Sequence, residues 1–207
     1  DLRMMNAFRQ DARQIANTPE EFQQNVHPGA KIILAARKLK EMREKDPNFR
    51  ALVYSNYLGS GIDSYGRVLD EMGIPYNRFT GGMTRKQKQE VVNAYNSGEV
   101  PVILGSGSAS EGLDLQGTKL IQLLEPYFNE SRLNQVIGRG IRYKSHELLP
   151  PEERKVLVQK YYSTLPQMRG LFGKLRKKNT SVDEYLKARS AEKEALMQQV
   201  RNLLTTE

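Results

Sequence analysis

An α/β fold built on a parallel sheet is what this 207-residue sequence predicts. Helical and strand periodicities alternate from Gly29 to about Tyr162. Two strand-length runs, Pro101-Val-Ile-Leu-Gly105 and Leu120-Ile-Gln-Leu-Leu124, are almost continuously apolar, the pattern of strands buried on both faces. Helical stretches fall between the strands, which is the arrangement that right-handed βαβ crossovers require.

The elements follow in order. Asp1 to about Val26 is polar and helix-compatible, and Thr18-Pro-Glu-Glu21 reads as an N-cap followed by proline at the first helical position. Residues 1–28 are therefore expected to be a helical lead-in. Lys31 to Lys45 carries Ile32, Ile33, Ala36, Leu39 and Met42 at helical spacing, and Ala51-Leu-Val-Tyr-Ser55 is a β-rich run with no breaker. A helix near Ile62 to Met72 should end at Gly73, a strand should follow from Pro75 to Phe79, and a polar helix from Thr84 to Asn96 should stop at Ser97-Gly98. Beyond the two apolar strands, Asn129 to Arg142 reads as a helix. Lys155 to Tyr162 reads as a strand, because β-branched and aromatic residues follow a Pro-Pro-Glu-Glu turn. One domain then spans residues 29–165. From Gln167 to Asn179 the chain is basic, and Thr180-Ser-Val-Asp183 caps a long polar helix reaching about Leu204, so residues 166–207 form a basic linker and a C-terminal helix.

Composition narrows the function classes. A hydrophobic fraction of 38% and a charged fraction of 27%, with no apolar run near the roughly 18 residues a membrane span needs, argue against a membrane role. No secretory leader pattern opens the chain, and a start at Asp1 suggests a piece of something longer. The absence of Cys excludes disulfides and cysteine metal clusters and agrees with a cytoplasmic protein. Two histidines, His27 and His146, do not make a metal site unaided, so no metal ligand is assigned. The formal charge of +8 suits a polyanionic partner, although a well-solvated basic surface gives the same number.

Two segments could carry chemistry. In Gln135-Val-Ile-Gly-Arg139-Gly-Ile-Arg142 two arginines three apart emerge on one helix face and can reach one phosphate group. Phosphoryl transfer uses fixed positive charge of this kind, because negative charge gathers on the oxygens of the transferred group. Gln135 offers an amide, and Gly138 allows close backbone packing. A basic surface helix would carry the same spacing. Gly105 to Asp114 follows a buried strand, putting Ser106, Ser108, Gly112 and Asp114 where open α/β sheets bind ligands. Ser106 and Ser108 could bond phosphates and Asp114 a ribose hydroxyl; a plain tight turn is the alternative.

Ala51 to Asn56, Phe79-Thr-Gly-Gly82, Gly105 to Asp114 and Gln135 to Arg142, in this order, resemble the successive C-terminal-lobe motifs of superfamily 2 helicases and translocases. The resemblance covers about Gly29 to Tyr162. Pro126-Tyr-Phe-Asn129 resembles a segment of Swi/Snf-type remodellers, and Ile141 to His146 resembles the corresponding ending in large-DNA-virus helicases. The tail from Ser181 resembles the helix that braces the lobe in those families. The resemblance implies a RecA-like parallel sheet with flanking helices, the P-loop NTPase fold in its second-lobe form. It implies that Ser55, Asn56, Gly81, Gly82, Ser106 and Ser108 face nucleic acid, DNA in preference to RNA. It also implies that Gly112, Asp114 and Gln135 face ATP, with Arg139 and Arg142 acting as arginine fingers.

The chain departs from the pattern at Ser110 and Glu111, where remodellers have glycines, and it holds no G-x-x-x-x-G-K-[ST] phosphate loop. ATP with Mg²⁺ is therefore expected to be held mainly by a separate N-terminal lobe of the same polypeptide. The alternative is a non-hydrolytic nucleic-acid-binding or protein-docking module of the same fold. Leu69-Asp-Glu71 and Val182-Asp-Glu184 look like Mg²⁺-binding acidic pairs but follow no phosphate loop, so they are expected to be solvated helix carboxylates. Tyr54, Tyr57, Tyr76 and Phe79 are expected to pack rather than stack on bases. The run Lys174 to Lys178 suits duplex phosphates or a solvated linker equally.

Overall fold

Five strands form one all-parallel sheet: β1 (Arg50–Tyr54), β2 (Tyr76–Phe79), β3 (Val102–Gly105), β4 (Thr118–Leu123) and β5 (Leu157–Lys160), in the order β2-β3-β1-β4-β5. The computed structural model describes residues 12–14, 28–107, 113–125, 137–138, 150–164 and 181–204. Each expected strand is present, including the one after the Pro-Pro-Glu-Glu turn. Helical crossovers join β1 to β2 and β2 to β3, and the sheet has the RecA-like α/β architecture.

Among the described residues, the longer α-helices are α1 (Ala30–Lys45), α2 (Ser64–Glu71), α3 (Arg85–Ser97) and α4 (Val182–Leu204). A π-helical turn, Leu58–Asp63, runs directly into α2. Gly73 with φ 66° lies just beyond the end of α2, and Gly98 with φ 85° ends α3, both in the left-handed region that favours glycine. Thr84 caps α3 through a reciprocal capping box with Gln87.

Alternation along β1 divides the core. Ala51 and Val53 face Ile32, Ala36 and Leu39 of α1 and Tyr65 and Leu69 of α2, while Leu52 and Tyr54 face Val91, Val92 and Tyr95 of α3. Each large apolar side chain removed from water in these two layers contributes about 1.5–3 kcal/mol. Two buried hydroxyls in the core are paired: that of Tyr65 donates to Gln122 Oε1 at 2.6 Å, and that of Tyr95 lies 2.8 Å from Thr118 Oγ1. Among the described residues no helix is long and apolar enough to cross a membrane.

The start of α4 is fastened to the chain that leaves β5. Ser181 Oγ donates to the Ser163 carbonyl at 2.5 Å, Ser163 N donates to Asp183 Oδ2 at 2.8 Å, and Glu184 N donates back to Ser181 Oγ at 3.1 Å. This corrects one expectation. Asp183 is not a solvated carboxylate; it is 2% exposed, with Lys31 Nζ at 3.6 Å and Arg13 Nε at 3.9 Å. A carboxylate that caps a docked helix is carried into the interface, and buried cations come with it. Asp70 and Glu71 are exposed as expected, and Asp70 accepts from the Tyr76 hydroxyl at 3.1 Å. Residues 12–14 and 137–138 are helical. The expected features at 18–21, 126–129, 141–146 and 167–179, and the rest of the expected 129–142 helix, lie outside the described residues.

Candidate functional site

The sheet register sets the site. Tyr54 aligns with Gly105 and Leu123, Phe79 with Gly105, and Leu123 with Lys160, so all five strands end at one level. The residues that follow β2, β3, β1 and β4 in turn are Thr80-Gly81-Gly82, Ser106, Ser55-Asn56 and Leu124-Glu125. Open α/β sheets bind ligands along this carboxyl edge.

The expected residues are not equivalent there. Gly81 and Gly82 are exposed, with open space where a Cβ would project. Ser106 is 6% exposed, and its N–H donates to the Phe79 carbonyl at 3.1 Å, linking the ends of β2 and β3. Ser55 is fully buried, and its hydroxyl points inward, donating to Glu125 Oε1 at 2.8 Å while accepting from Tyr57 N at 3.1 Å. Asn56 is half-buried: its N–H donates to Glu125 Oε2 at 2.9 Å, and its Oδ1 accepts from the Tyr54 hydroxyl at 3.2 Å. Its Nδ2 has no protein partner. The side chain of Ser55 therefore shapes the turn, and that of Asn56 is fixed beside it with its Nδ2 buried and unpaired.

Glu125, which the sequence reading missed, is the anchor of this turn. It is 2% exposed and receives both donors, 69 and 70 residues away in the chain. One signal was available: a charged residue directly ends the apolar run Leu120–Leu124. Gly61 in the π-helical turn lies against the same spot, where a Cβ would come 1.8 Å from Ser55 Oγ. Lys31 completes the charge balance. Burial holds its ammonium below the ordinary 10.5, against the attraction of Asp183 and then Glu125.

The other expected segment lies on the α3 face. Leu113 and Leu115 are buried in the cluster beneath α3, and Ile137 packs against the same cluster. The Asp114 region and the helical residues 137–138 therefore share one face of the sheet. Asp114 itself is exposed, and its carbonyl accepts from Asn96 Nδ2 at 2.9 Å. Asn96 is in the last turn of α3, near where β3 begins, so by Asp114 the chain has left the carboxyl edge. This corrects the expectation that all of Gly105 to Asp114 sits at that edge; a parallel β4 obliges the connection to return to the opposite end. Gly138 is exposed with open space where a Cβ would project, and Ile137 beside it packs on the cluster. Ser108, Gly112, Gln135, Arg139 and Arg142 lie outside the described residues. Tyr54 and Phe79 are buried core side chains. No group of three or more His, Cys, Asp or Glu among the described residues could hold a metal ion.

A RecA-like sheet whose polar turns gather at one carboxyl edge, with a second polar segment on one face, defines a lobe of the P-loop NTPase type. The sequence matches the helicase conserved C-terminal domain over residues 33–144, and the chain belongs to that family. It is 39% identical over 142 residues to the Acanthamoeba polyphaga mimivirus protein named "Putative ATP-dependent RNA helicase L538", covering 69% of this chain and 30% of that one. It is 31% identical over 167 residues to an African swine fever virus "Termination factor NPH-I homolog", covering 74% of this chain and 22% of that one. The chain thus spans less than a third of the length of these curated relatives. In fold it resembles the C-terminal part of the Fun30 ATPase domain, with a TM-score of 0.56 at 17% identity over 74% of this chain and 48% of that one.

Proposed function

We propose that this chain works as the C-terminal lobe of an ATP-dependent nucleic-acid helicase or translocase. In this reading Arg139 and Arg142 stabilise the γ-phosphate of an ATP that the N-terminal lobe holds with Mg²⁺, while Gly112, Asp114 and Gln135 line the nucleotide side. Asn56, Gly81, Gly82, Ser106 and Ser108 form half of the nucleic-acid track, and Ser55 supports it from beneath. The observation that carries the reading is the family match over residues 33–144, which contains every one of these residues in the expected order. Geometry supports it as well. Ile137 and the flanks of Asp114 share one buried cluster, so a nucleotide at the α3 face and a strand at the carboxyl edge would occupy different sides of the lobe. Closure of the cleft on ATP and reopening after hydrolysis would then move a gripped strand.

DNA is the favoured strand on the resemblance to Swi/Snf-type and viral motors, and the net charge of +8 fits either polyanion. RNA is the second reading, favoured by the name of the 39% identical mimivirus relative. Two measurements on the intact protein test the proposal. Arg142→Ala should abolish nucleic-acid-stimulated ATP turnover and leave nucleic-acid affinity largely intact. Unchanged turnover would sink the finger assignment, and a wild type without turnover would favour the non-hydrolytic docking module. Binding of duplex DNA, single-stranded DNA and RNA across a salt series then separates the substrates.

A further inference from the structure

The carboxyl edge contains a costly arrangement that fold stability alone does not require. Glu125 is buried at the end of β4, on the edge where the proposed function puts a polyanion. A carboxylate there repels phosphate, and its burial carries a desolvation cost. What it does that a neutral side chain does not is accept two bonds at once, one through each oxygen: Ser55 Oγ at 2.8 Å and Asn56 N at 2.9 Å. A glutamine offers one acceptor and one donor, and cannot hold both groups in the same sense. The charge is offset from below, because Lys31 attracts Glu125 while forming its ion pair with Asp183. The turn is closed on its other side by Gly61, where only hydrogen fits.

The result is a fixed Asn56. Its backbone is tied to Glu125, its Oδ1 is tied to the Tyr54 hydroxyl, and its Nδ2 donor has no partner in the protein. A buried donor without an internal partner, on a side chain locked at two other points, suits an acceptor that arrives from outside.

We infer that Glu125 is a positioning residue for nucleic-acid binding: through Ser55 and the Asn56 amide it holds Asn56 Nδ2 ready for a backbone phosphate oxygen. The inference rests on the proposed function and goes beyond it, since Glu125 touches no substrate and belongs to no motif identified in the sequence. Preorganisation of this kind lowers the ordering cost of binding without adding a contact.

The test uses the intact protein, a labelled single-stranded DNA and a labelled RNA of the same sequence, with three readouts: dissociation constant, KM for ATP without nucleic acid, and thermal midpoint. Glu125→Gln should weaken binding of the preferred strand by about tenfold or more, with KM for ATP close to wild type and a fall in thermal midpoint too small to unfold the protein at the assay temperature. Ser55→Ala, which leaves the Asn56 amide on Glu125, should weaken binding by a smaller factor and also spare KM. Affinity unchanged in Glu125→Gln overturns the inference. So does a loss of affinity matched by an equal rise in KM and a fall in midpoint, which marks a residue that serves the fold alone. Should Glu125→Gln fail to fold, Ser55→Ala decides: weaker binding at constant KM supports the inference, and unchanged binding overturns it. A wild type that binds neither DNA nor RNA overturns the proposed function too, and that outcome is read before any variant.

Discussion

Replacing Asp183 by asparagine isolates the charge that fastens α4 to the domain. Asn keeps the volume and an acceptor for Ser163 N, so the 2.8 Å bond survives while the pair with Lys31 at 3.6 Å is lost. Unit charges at that separation attract by about 4–5 kcal/mol at an effective dielectric near 20. Removing one member of a buried pair typically costs about 3–5 kcal/mol, because the other is left uncompensated. Glu125 still attracts Lys31, which puts the expected loss toward the lower end, about 3 kcal/mol. For a domain of this size that lowers the unfolding midpoint by about 6–12 °C. The double variant Asp183→Asn, Lys31→Met should recover more than half of the loss, since the stranded ammonium is gone. The effect also has a pH signature. Burial holds the folded-state pKa of Lys31 below its ordinary 10.5, so between those values the unfolded chain binds more protons and stability rises with pH. In Asp183→Asn the depression deepens, and the deficit relative to wild type should narrow as pH rises from 7 toward 10. Urea unfolding of the chain at several pH values measures all of this. A loss below about 1 kcal/mol at pH 7, the range of an exposed pair, or a deficit that widens with pH, would refute the reasoning.

Two further perturbations probe the same architecture. Gly61→Ala puts a Cβ 1.8 Å from Ser55 Oγ and should destabilise by about 1–3 kcal/mol through overpacking; adding Ser55→Gly should return part of that, and thermal unfolding that shows no such recovery would mean the clash is relieved elsewhere. Burial pushes the Tyr161 phenol up to about 12, with the Gln122 hydrogen bond opposing the shift. Its folded pKa thus lies above the ordinary 10, so this contribution to stability is complete below pH 10 and is lost as pH climbs toward 12. Tyr161→Phe should therefore make the alkaline fall in stability shallower. An unchanged slope in denaturant titrations above pH 10 would contradict the assignment.

The sheet was legible because burial on both faces leaves a plain mark: Val102 to Leu104 and Leu120 to Leu123 are inward-facing at nearly every position. Helix ends were legible where one residue decides them, as Thr84 does with its capping box and Gly98 with its positive φ. What the sequence concealed is pairing across long separations. Ser55 reads as a ligand-facing hydroxyl after a strand, and only the fold brings Glu125 against it. Lys31 reads as surface on a helix and Asp183 as a solvated cap, because charges normally stay in water. Each is buried through the other, although one opens the domain and the other lies in the C-terminal extension. Local pattern has no means of recording such a partner. Asp114 was misplaced for a different reason: a glycine-rich loop was assigned to one edge as a unit, whereas the buried Leu113 and Leu115 carry it back along the sheet.

Strand order gives the carboxyl edge, the proposed nucleic-acid track, a length as well as a location. The turns that end β2, β3, β1 and β4 follow one another across neighbouring strands at one level. Three gaps of about 4.8 Å make a row roughly 14 Å long. Nucleotides in one strand of a B-form helix rise about 3.4 Å each, so such a row subtends about four of them. A strand gripped there meets a scale whose divisions differ from its own repeat. Sliding by less than one nucleotide would misalign every contact at once, so the lobe would release and re-grip at whole-nucleotide intervals. In the proposed function the nucleotide repeat would then set the unit of movement, and the spacing of hydrogen-bonded β-strands would set only how many nucleotides the edge spans.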